Sequence, residues 1–544
     1  MSDTHDTPRK DGSLTSEIQE MDRALVKLLG KRSRLFKKAA AARKQKKKSL
    51  VDPQQEKALW RNWRQAAEAN DLDEKMMRAL FNAVNGLGYE QVERKQDWEL
   101  PLRPNPQPAR IALDGPRDCL LTRMWVFLAA TGGKPLQIAP VILNDPLFEM
   151  IKALNQAGGS VYWEQDRVLF RGGGALDFDT KTIFCGQDPF NLYLLLFLAA
   201  RSPGVCRFSG GSRLKFMNFR ALETLVRDLG GRIISLVPGS HGLPLRLEAG
   251  GGCEGHIAIS SDISTAMLQA LILALAVTLQ EGEAVRLHCP DDATALFHFP
   301  GLSAVLEACG GGWEQQADGC VIQGRVLHLP EQVDPPLDPM LSGFLLALAL
   351  VSRGRASLRG HFPRQLPESQ AVLRLLQGFG LAVKRSDEAI QGVCEGQSGQ
   401  LLSMDVRGFP QCLPLALALA VSRPGPSLLQ VEQNEDLDFA LSLLDRLQAE
   451  YSFEEGSLHI QAGLNLQHCP PLKIHTPNAW WSMALAVIAL KRPGLSVHNP
   501  GELTQLWPQF WSLFKGLPDP QRAQAKKQAE DQGAARKKIR RKIG

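Results

Sequence analysis

Between residues 110 and 517 the chain runs six times through one order of elements. A strand precedes an apolar helix, then come a short strand, an amphipathic helix and a pair of strands. The openings fall near Arg110, Lys181, Gly255, Arg325, Gln400 and Pro471, a period of roughly 70 to 75 residues. A glycine marks the end of the amphipathic helix in the first four copies. Ala153-Leu154-Asn155-Gln156-Ala157-Gly158-Gly159 and Leu225-Val226-Arg227-Asp228-Leu229-Gly230-Gly231 are the first two copies. Leu306 to Gly311 and Leu376 to Gly380 repeat them, and the fifth copy, around Leu447 to Phe453, has lost its glycine. Glycine suits this place because the residue after a helix often turns left-handed. The other helix of each copy is apolar nearly all round: Leu192–Ala200, Leu268–Thr278, Leu345–Val351, Leu415–Val421, Met483–Leu490. Such helices need cover on every side. The sheets must therefore wrap the helices, the inverse of a barrel with strands at its centre.

The remaining sequence adds a separate helical unit. Ile18, Met21, Leu25, Leu28, Leu29 and Leu35 recur at helical spacing over Glu17–Arg43. Asp52-Pro53 opens a second helix running toward Ala67, and a third covers about Asp73 to Gly86. Their apolar faces exceed what one copy can cover, so a homodimer through these helices is expected. Residues 1–12 are polar and expected to be disordered. A Pro-rich linker over 96–108 separates the helices, 13–95, from the body.

Length 544 leaves room for two to four domains. With 44% hydrophobic and 22% charged residues the chain reads as globular. No apolar run reaches the roughly 18 residues of a membrane span, and Met1–Gly12 carries no signal segment, so a cytoplasmic location is expected. Lys31–Lys48 holds ten basic residues and no acid, and the tail 518–544 is net +6. Against the chain's +6, that leaves −10 on the body. The basic ends lack aromatic interleaving, so solvated helix faces are expected rather than nucleic-acid contacts. The ten cysteines are scattered, with no C-x-x-C, and Cys206, Cys289, Cys309 and Cys412 read as buried thiols. No metal and no cofactor is expected.

Several segments resemble the enolpyruvyl transferase family, in particular its 5-enolpyruvylshikimate-3-phosphate (EPSP) synthases. Pro244-Leu245-Arg246-Leu247-Glu248-Ala249-Gly250 is similar to the family's P-L-R-L-x-G-G. Ser264-Thr265 stands where the family has S-S-Q. Asn499-Pro500 through Trp511 resembles the family's closing D-P-x-C-x-x-K-x-F-P segment. The resemblance implies an α+β chain: an all-α helical domain, then a two-lobed inside-out α/β barrel of six β-α-β-α-β-β units. Lobe one would be 116–322 and lobe two 323–517, with the first strand, 99–115, returning to lobe two. The first helices resemble the chorismate mutase domain through Ile18-x-x-Met21-Asp22, Leu28-Leu29-Gly30-Lys31-Arg32, Glu56 and Leu80-Phe81.

By this resemblance the substrates would be shikimate 3-phosphate and phosphoenolpyruvate, which require several cations. In lobe one the substrate-binding candidates are Arg123, Arg213, Ser264 and Thr265. The family lysine falls on Asp118, and Arg117, one residue away, is the catalytic candidate to replace it. The arginine of the second loop is Tyr193. In lobe two the catalytic Asp falls on Gln411, and of K-E-T-D-R only Glu435 survives as a catalytic candidate. A further arginine is Trp480, and the last lysine is Gln505. A hydrogen bond to a charged group contributes roughly 1.5–3 kcal/mol, so losing about five forfeits on the order of 7 kcal/mol or more. The mutase-like site would keep Arg32, Arg43 and Glu56 but has Thr15, Gln55 and Val92 at other family positions.

Three functional readings follow. The first is a non-catalytic shikimate-pathway protein that binds a small anionic metabolite or a partner enzyme. The second is a divergent but active enolpyruvyl transferase, and the third a chorismate mutase carrying an inactive body. The erosion of both sites favours the first. Arg123 and Arg213 also admit a plain reading as core-edge or surface arginines without a ligand.

Overall fold

The structure is a computed structural model. It describes residues 11–45, most of 53–84, and 99–522 apart from stretches at 216, 238–240, 261–262, 290–296, 317, 397, 462–463 and 465–469. The N-terminal unit begins with a long helix, Asp11–Gln45, starting inside the segment expected to be disordered; residues 1–10 lie outside the described residues. A second helix spans Pro53–Glu68, and the described residues from 76 to 84 are mostly helical. Trp60 and Trp63 both pack on Phe81, with ring centroids 5.4 Å apart in each pair. The apolar stripe of the long helix is left open: Ile18, Met21, Leu25, Leu28 and Leu35 are all more than half exposed.

Among the described residues of the body, five four-stranded sheets and one three-stranded sheet surround two cores. Three apolar helices fill lobe one: Cys119–Gly132, Pro189–Ala200 and Thr265–Thr278. Lobe two has Pro339–Val351, Leu413–Ser422 and Ala479–Ala489. All but Cys119–Gly132 are the helices read as apolar all round, and nearly every residue in the six is buried. Cys206, Cys289, Cys309 and Cys412 are buried free thiols. The glycine marker has the expected geometry, with φ of +102° at Gly158, +71° at Gly230, +72° at Gly310 and +96° at Gly380. In the fifth unit Gln448 takes φ +56° and ends the helix Glu435–Leu447 without glycine.

The chain crosses between the lobes twice, and each crossing delivers a strand to the far side. Arg110–Asp114 lies parallel to Arg355–Arg359 and opens lobe two's first sheet. Gln332–Val333 lies parallel to Leu136–Ile138 and opens lobe one's first sheet. Lobe one therefore extends to 333 rather than 322, and the fourth unit does not open at Arg325. A strand of two residues carries too little pattern to be read from sequence. The segment 96–108 is also less of a linker than its prolines suggest. Glu99–Pro101 pairs antiparallel with Leu495–His498 and completes the sixth sheet.

Candidate functional site

The N-terminal ends of the core helices meet where the lobes face each other, and their caps decide what the face can bind. A helix N-terminus carries about half a positive charge and suits an anion. Here carboxylates already occupy three of them. Asp118 Oδ1 accepts from the amides of Leu120 and Leu121 at 2.9 and 2.8 Å. Asp188 Oδ1 accepts from Asn191 N at 3.2 Å, and Asp338 Oδ1 from Leu341 N at 2.9 Å. Asp188-Pro189 and Asp338-Pro339 carry the sequence signal of a cap followed by proline in the first turn. Asp118, read only as the place of a lost family lysine, concealed that role.

Arg123 is paired rather than free. It is 8% exposed, and its Nη1 donates to Asp188 Oδ1 at 2.7 Å and to Asn191 Oδ1 at 3.0 Å. Its guanidinium lies 5.1 Å over the Phe190 ring. Arg117 does not reach the position of the missing lysine. Its Nε donates to Asp334 Oδ1 at 3.0 Å, and its Nη1 to the carbonyls of Arg359 and Gly115. Those bonds tie the two interlobe crossings together. Gly360, at φ +129°, makes room for it, since a Cβ there would sit 2.1 Å from Arg117 Nη1.

The other lobe-one candidates stand apart from Arg123. Arg213 is exposed, and its backbone amide, not its guanidinium, bonds Gln187 Oε1 at 3.0 Å. Ser264 caps the helix Thr265–Thr278 by accepting from Met267 N at 3.2 Å, and both Ser264 and Thr265 are exposed. Tyr193, in the family arginine position, is 3% exposed and packs edge-on against Phe219, ring centroids 6.3 Å apart. Burial raises its phenol above the usual tyrosine range.

Lobe two is closed in the same manner. Gln505 Nε2 donates to Asp145 Oδ2 of lobe one at 3.1 Å, and Thr504 Oγ1 donates to the same oxygen at 2.6 Å. Asn144 Nδ2 donates to the carbonyls of Gln505 and Leu506 at 3.2 Å. Trp480 is half-buried and stacked on Phe344, centroids 6.1 Å apart and planes 16° apart. Trp481 is fully buried and donates its indole N–H to Asp436 Oδ1 at 2.6 Å. Glu435 and Gln411 are exposed. Glu435 lies in the first turn of Glu435–Leu447 with Asp436 and Asp438, where acids stabilise the helix dipole without any ligand.

The electrostatics follow from this composition. Burial raises the Asp118 carboxyl above its ordinary value, and nearby Glu368 adds to the rise, while the two capped amides and Arg123 oppose it. Burial and the neighbouring Asp118 push Asp338 up to about 7. Glu149, which accepts from Gln187 N at 2.8 Å, is raised by burial and by Asp145 and Asp188. A face that would hold two polyanionic substrates is instead lined by Asp118, Asp145, Asp188 and Asp338, and its buried arginines are already paired.

In the N-terminal unit Arg32 is half-buried and its Nη1 donates to the Val84 carbonyl at 3.2 Å, bringing the first and third helices together. Arg43 and Glu56 lie on the first and second helices. Their side chains lie outside the described residues, as does Val92.

Comparison with known proteins agrees with this division. Residues 14–88 match the model of chorismate mutase type II. Residues 121–513 match that of EPSP synthase (3-phosphoshikimate 1-carboxyvinyltransferase). The 3-phosphoshikimate 1-carboxyvinyltransferase of Syntrophobacter fumaroxidans is 22% identical over 417 residues, covering 75% of this chain and 97% of that one. Its counterpart from Methanoculleus marisnigri is 24% identical and covers 62% and 79%. EPSP synthase from Acinetobacter baumannii superposes with a TM-score of 0.64 at 13% identity over 76% of this chain and 97% of that one. The enolpyruvyl transferase NikO from Streptomyces tendae gives 0.56 at 17% identity, covering 76% and 95%. Among the described residues no helix is long and apolar enough to cross a membrane. With a family match over most of its length on a six-unit, two-lobed body, the chain belongs to the EPSP synthase family and carries a chorismate-mutase-like helical domain at its N-terminus.

Proposed function

We propose that this chain is a shikimate-pathway homologue that does not carry out the family's phosphoenolpyruvate chemistry and acts as a metabolite-binding or regulatory protein. One observation carries the reading. The groups at the family's cation positions are committed to the protein itself: Gln505 to Asp145, Trp480 to Phe344, and Tyr193 to the core beside Phe219. The surviving Arg123 is neutralised by Asp188 at 2.7 Å. Binding phosphoenolpyruvate would require breaking these contacts and placing further negative charge beside four carboxylates. That cost has the opposite sign to what the reaction requires. The ligand is a small anionic metabolite held from lobe one, where Arg213 is exposed. The chain acts as a homodimer through the open stripe of the helix Asp11–Gln45, and a partner enzyme of the pathway completes the activity.

The test is phosphate release by the purified protein with shikimate 3-phosphate and phosphoenolpyruvate at millimolar levels. No release above a buffer blank is the expected outcome. Turnover that Arg213→Ala abolishes would make the chain a divergent but active synthase and overturn the reading. A parallel assay of chorismate consumption tests the helical domain: turnover there, with no phosphate release, would make the chain a mutase carrying an inactive body.

A further inference from the structure

A cavity of about 390 Å³ lies in lobe two, at the C-terminal ends of the core helices Pro339–Val351 and Ala479–Ala489. Those helices start at the interlobe face, so the cavity is at the opposite end of the core. Ser352, Arg353, Leu490 and Lys491 form its floor, and Pro106 and Pro108 form a wall. That wall belongs to the segment arriving from the N-terminal helices. The volume lies within the range of small-molecule sites.

Its two charged side chains are both cations. Neither Arg353 nor Lys491 makes a side-chain hydrogen bond or ion pair among the described residues. Burial lowers Lys491 below the usual lysine range, the Arg353 charge lowers it further, and only the Cys394 thiol acts the other way. The helix ends do not cancel this charge. Their last carbonyls accept from the chain's own donors: Ser352 Oγ donates to Leu348 O and Ala349 O, and Lys491 N and Arg492 N to Ile488 O. Even at full strength two helix ends supply about half a negative charge each, against two whole positive ones. The third nearby cation, Arg492, donates to the carbonyls of Pro493 and Pro470, neutral acceptors that leave its charge in place. The cavity is therefore net positive, bordered by the exposed Arg353 and the half-buried Lys491.

We infer that this cavity is a binding site for a small oxyanion, of the phosphate or carboxylate class, held between Arg353 and Lys491. Ser352 fixes the wall: its Oγ accepts from Ala109 N at 3.0 Å, joining the incoming segment to the helix end. An anion in the cavity therefore touches the connection between the two family modules as well as the body. The site is separate from the interlobe face, and its test does not depend on whether that face turns over.

The full chain is titrated calorimetrically with inorganic phosphate and, separately, with succinate. One saturable site for at least one of them is expected. Phosphate alone would place the ligand in the phosphate class, and both together would mark a general oxyanion site. Arg353→Gln and Lys491→Gln should each weaken binding by roughly tenfold or more, while the exposed-surface variant Lys384→Ala leaves it unchanged. A second readout needs no variant: phosphate should protect Lys491 from amine acylation, followed by mass spectrometry. Absence of saturable binding for both anions would overturn the proposal, as would unaltered affinity in the Arg353/Lys491 double variant or acylation indifferent to phosphate.

Discussion

Asp118 and Asp338 hold the two lobes in a reciprocal grip: Asp118 N donates to Pro336 O at 2.9 Å, and Asp338 N to Pro116 O at 2.8 Å. Each residue ends one interlobe crossing, and each caps the first core helix of its own lobe. The pair therefore joins the fold of both lobes to the electrostatics of the face between them. Burial, and with it the resistance of two nearby carboxylates to ionising together, pushes Asp338 up to about 7.

Stability should fall as the pH rises. The folded chain keeps a proton on Asp338 that the unfolded chain, with an ordinary carboxyl, releases earlier. The contribution is full below about pH 4, declines toward about pH 7, and is constant above it. Asn caps a helix as well as Asp does, so Asp338→Asn removes the charge and keeps the cap. Shared between two interacting groups, the gain above pH 7 should be about 1–2 kcal/mol. Thermal midpoints across that pH range check it. A slope unchanged by the substitution would detach Asp338 from the effect.

Gly360→Ala should destabilise the crossing. The new Cβ would meet the Arg117 guanidinium, and φ is +129°. Displacing Arg117 breaks its pair with Asp334 and leaves the carbonyls of Gly115 and Arg359 without that donor. The expected loss is about 2–4 kcal/mol. Limited proteolysis should then cut first near 115–118 or 334–338; a wild-type melting point and digestion pattern would contradict this.

Asp188→Asn should raise anion affinity in lobe one. The amide preserves the cap, while Arg123 loses its charge partner at 2.7 Å. A freed, poorly solvated guanidinium gains from any anion that reaches it. Binding of shikimate 3-phosphate should strengthen by roughly tenfold, about 1.4 kcal/mol, alongside a loss of about 1–3 kcal/mol in stability. Equal affinity in both proteins would show that Arg123 does not face a ligand.

Restoring family cations should not restore catalysis. In Trp480→Arg/Gln505→Lys, the new lysine would pair with Asp145, already bonded to Gln505 at 3.1 Å. The new arginine would lose the stacking on Phe344. No phosphate release is expected from the double variant; turnover would mean that the two substitutions alone silence the site.

The helical stripe predicts a dimer that surface changes can divide. Met21 and Leu25 are 73% and 52% exposed, so Met21→Gln/Leu25→Gln costs the single helix little. Sedimentation should give the mass of two chains for the wild type and of one for the variant, with unchanged helicity. One mass for both would remove the dimer from the proposed function.

Most of the architecture was legible because it rests on local chemistry. Apolar helices announced the inside-out cores, and glycine after Ala157, Leu229, Cys309 and Phe379 announced the helix ends. Gln448 escaped because a non-glycine residue can be forced left-handed by its surroundings, which sequence does not display. The strand at 332–333 escaped because two residues have no period. The site was half legible. The loss of cations was visible position by position, but the pairing that occupies Arg123, a substrate-binding candidate by sequence, was not, because its partner is 65 residues away. Arg117 failed as a substitute for the same reason, its partner Asp334 being contributed by the other crossing.

The exchanged opening strands also determine how this molecule can be divided. A fragment ending at 322 would lack Gln332–Val333 and bare the edge of Leu136–Ile138. Its complement would lack Arg110–Asp114 and bare Arg355–Arg359. Each half would then carry an unpaired edge that invites association, and the missing strand of each lies in the other. The lobes are entangled rather than modular, so a truncation or a duplicated unit in one is felt at once in the other, and two co-expressed halves have a built-in reason to find each other.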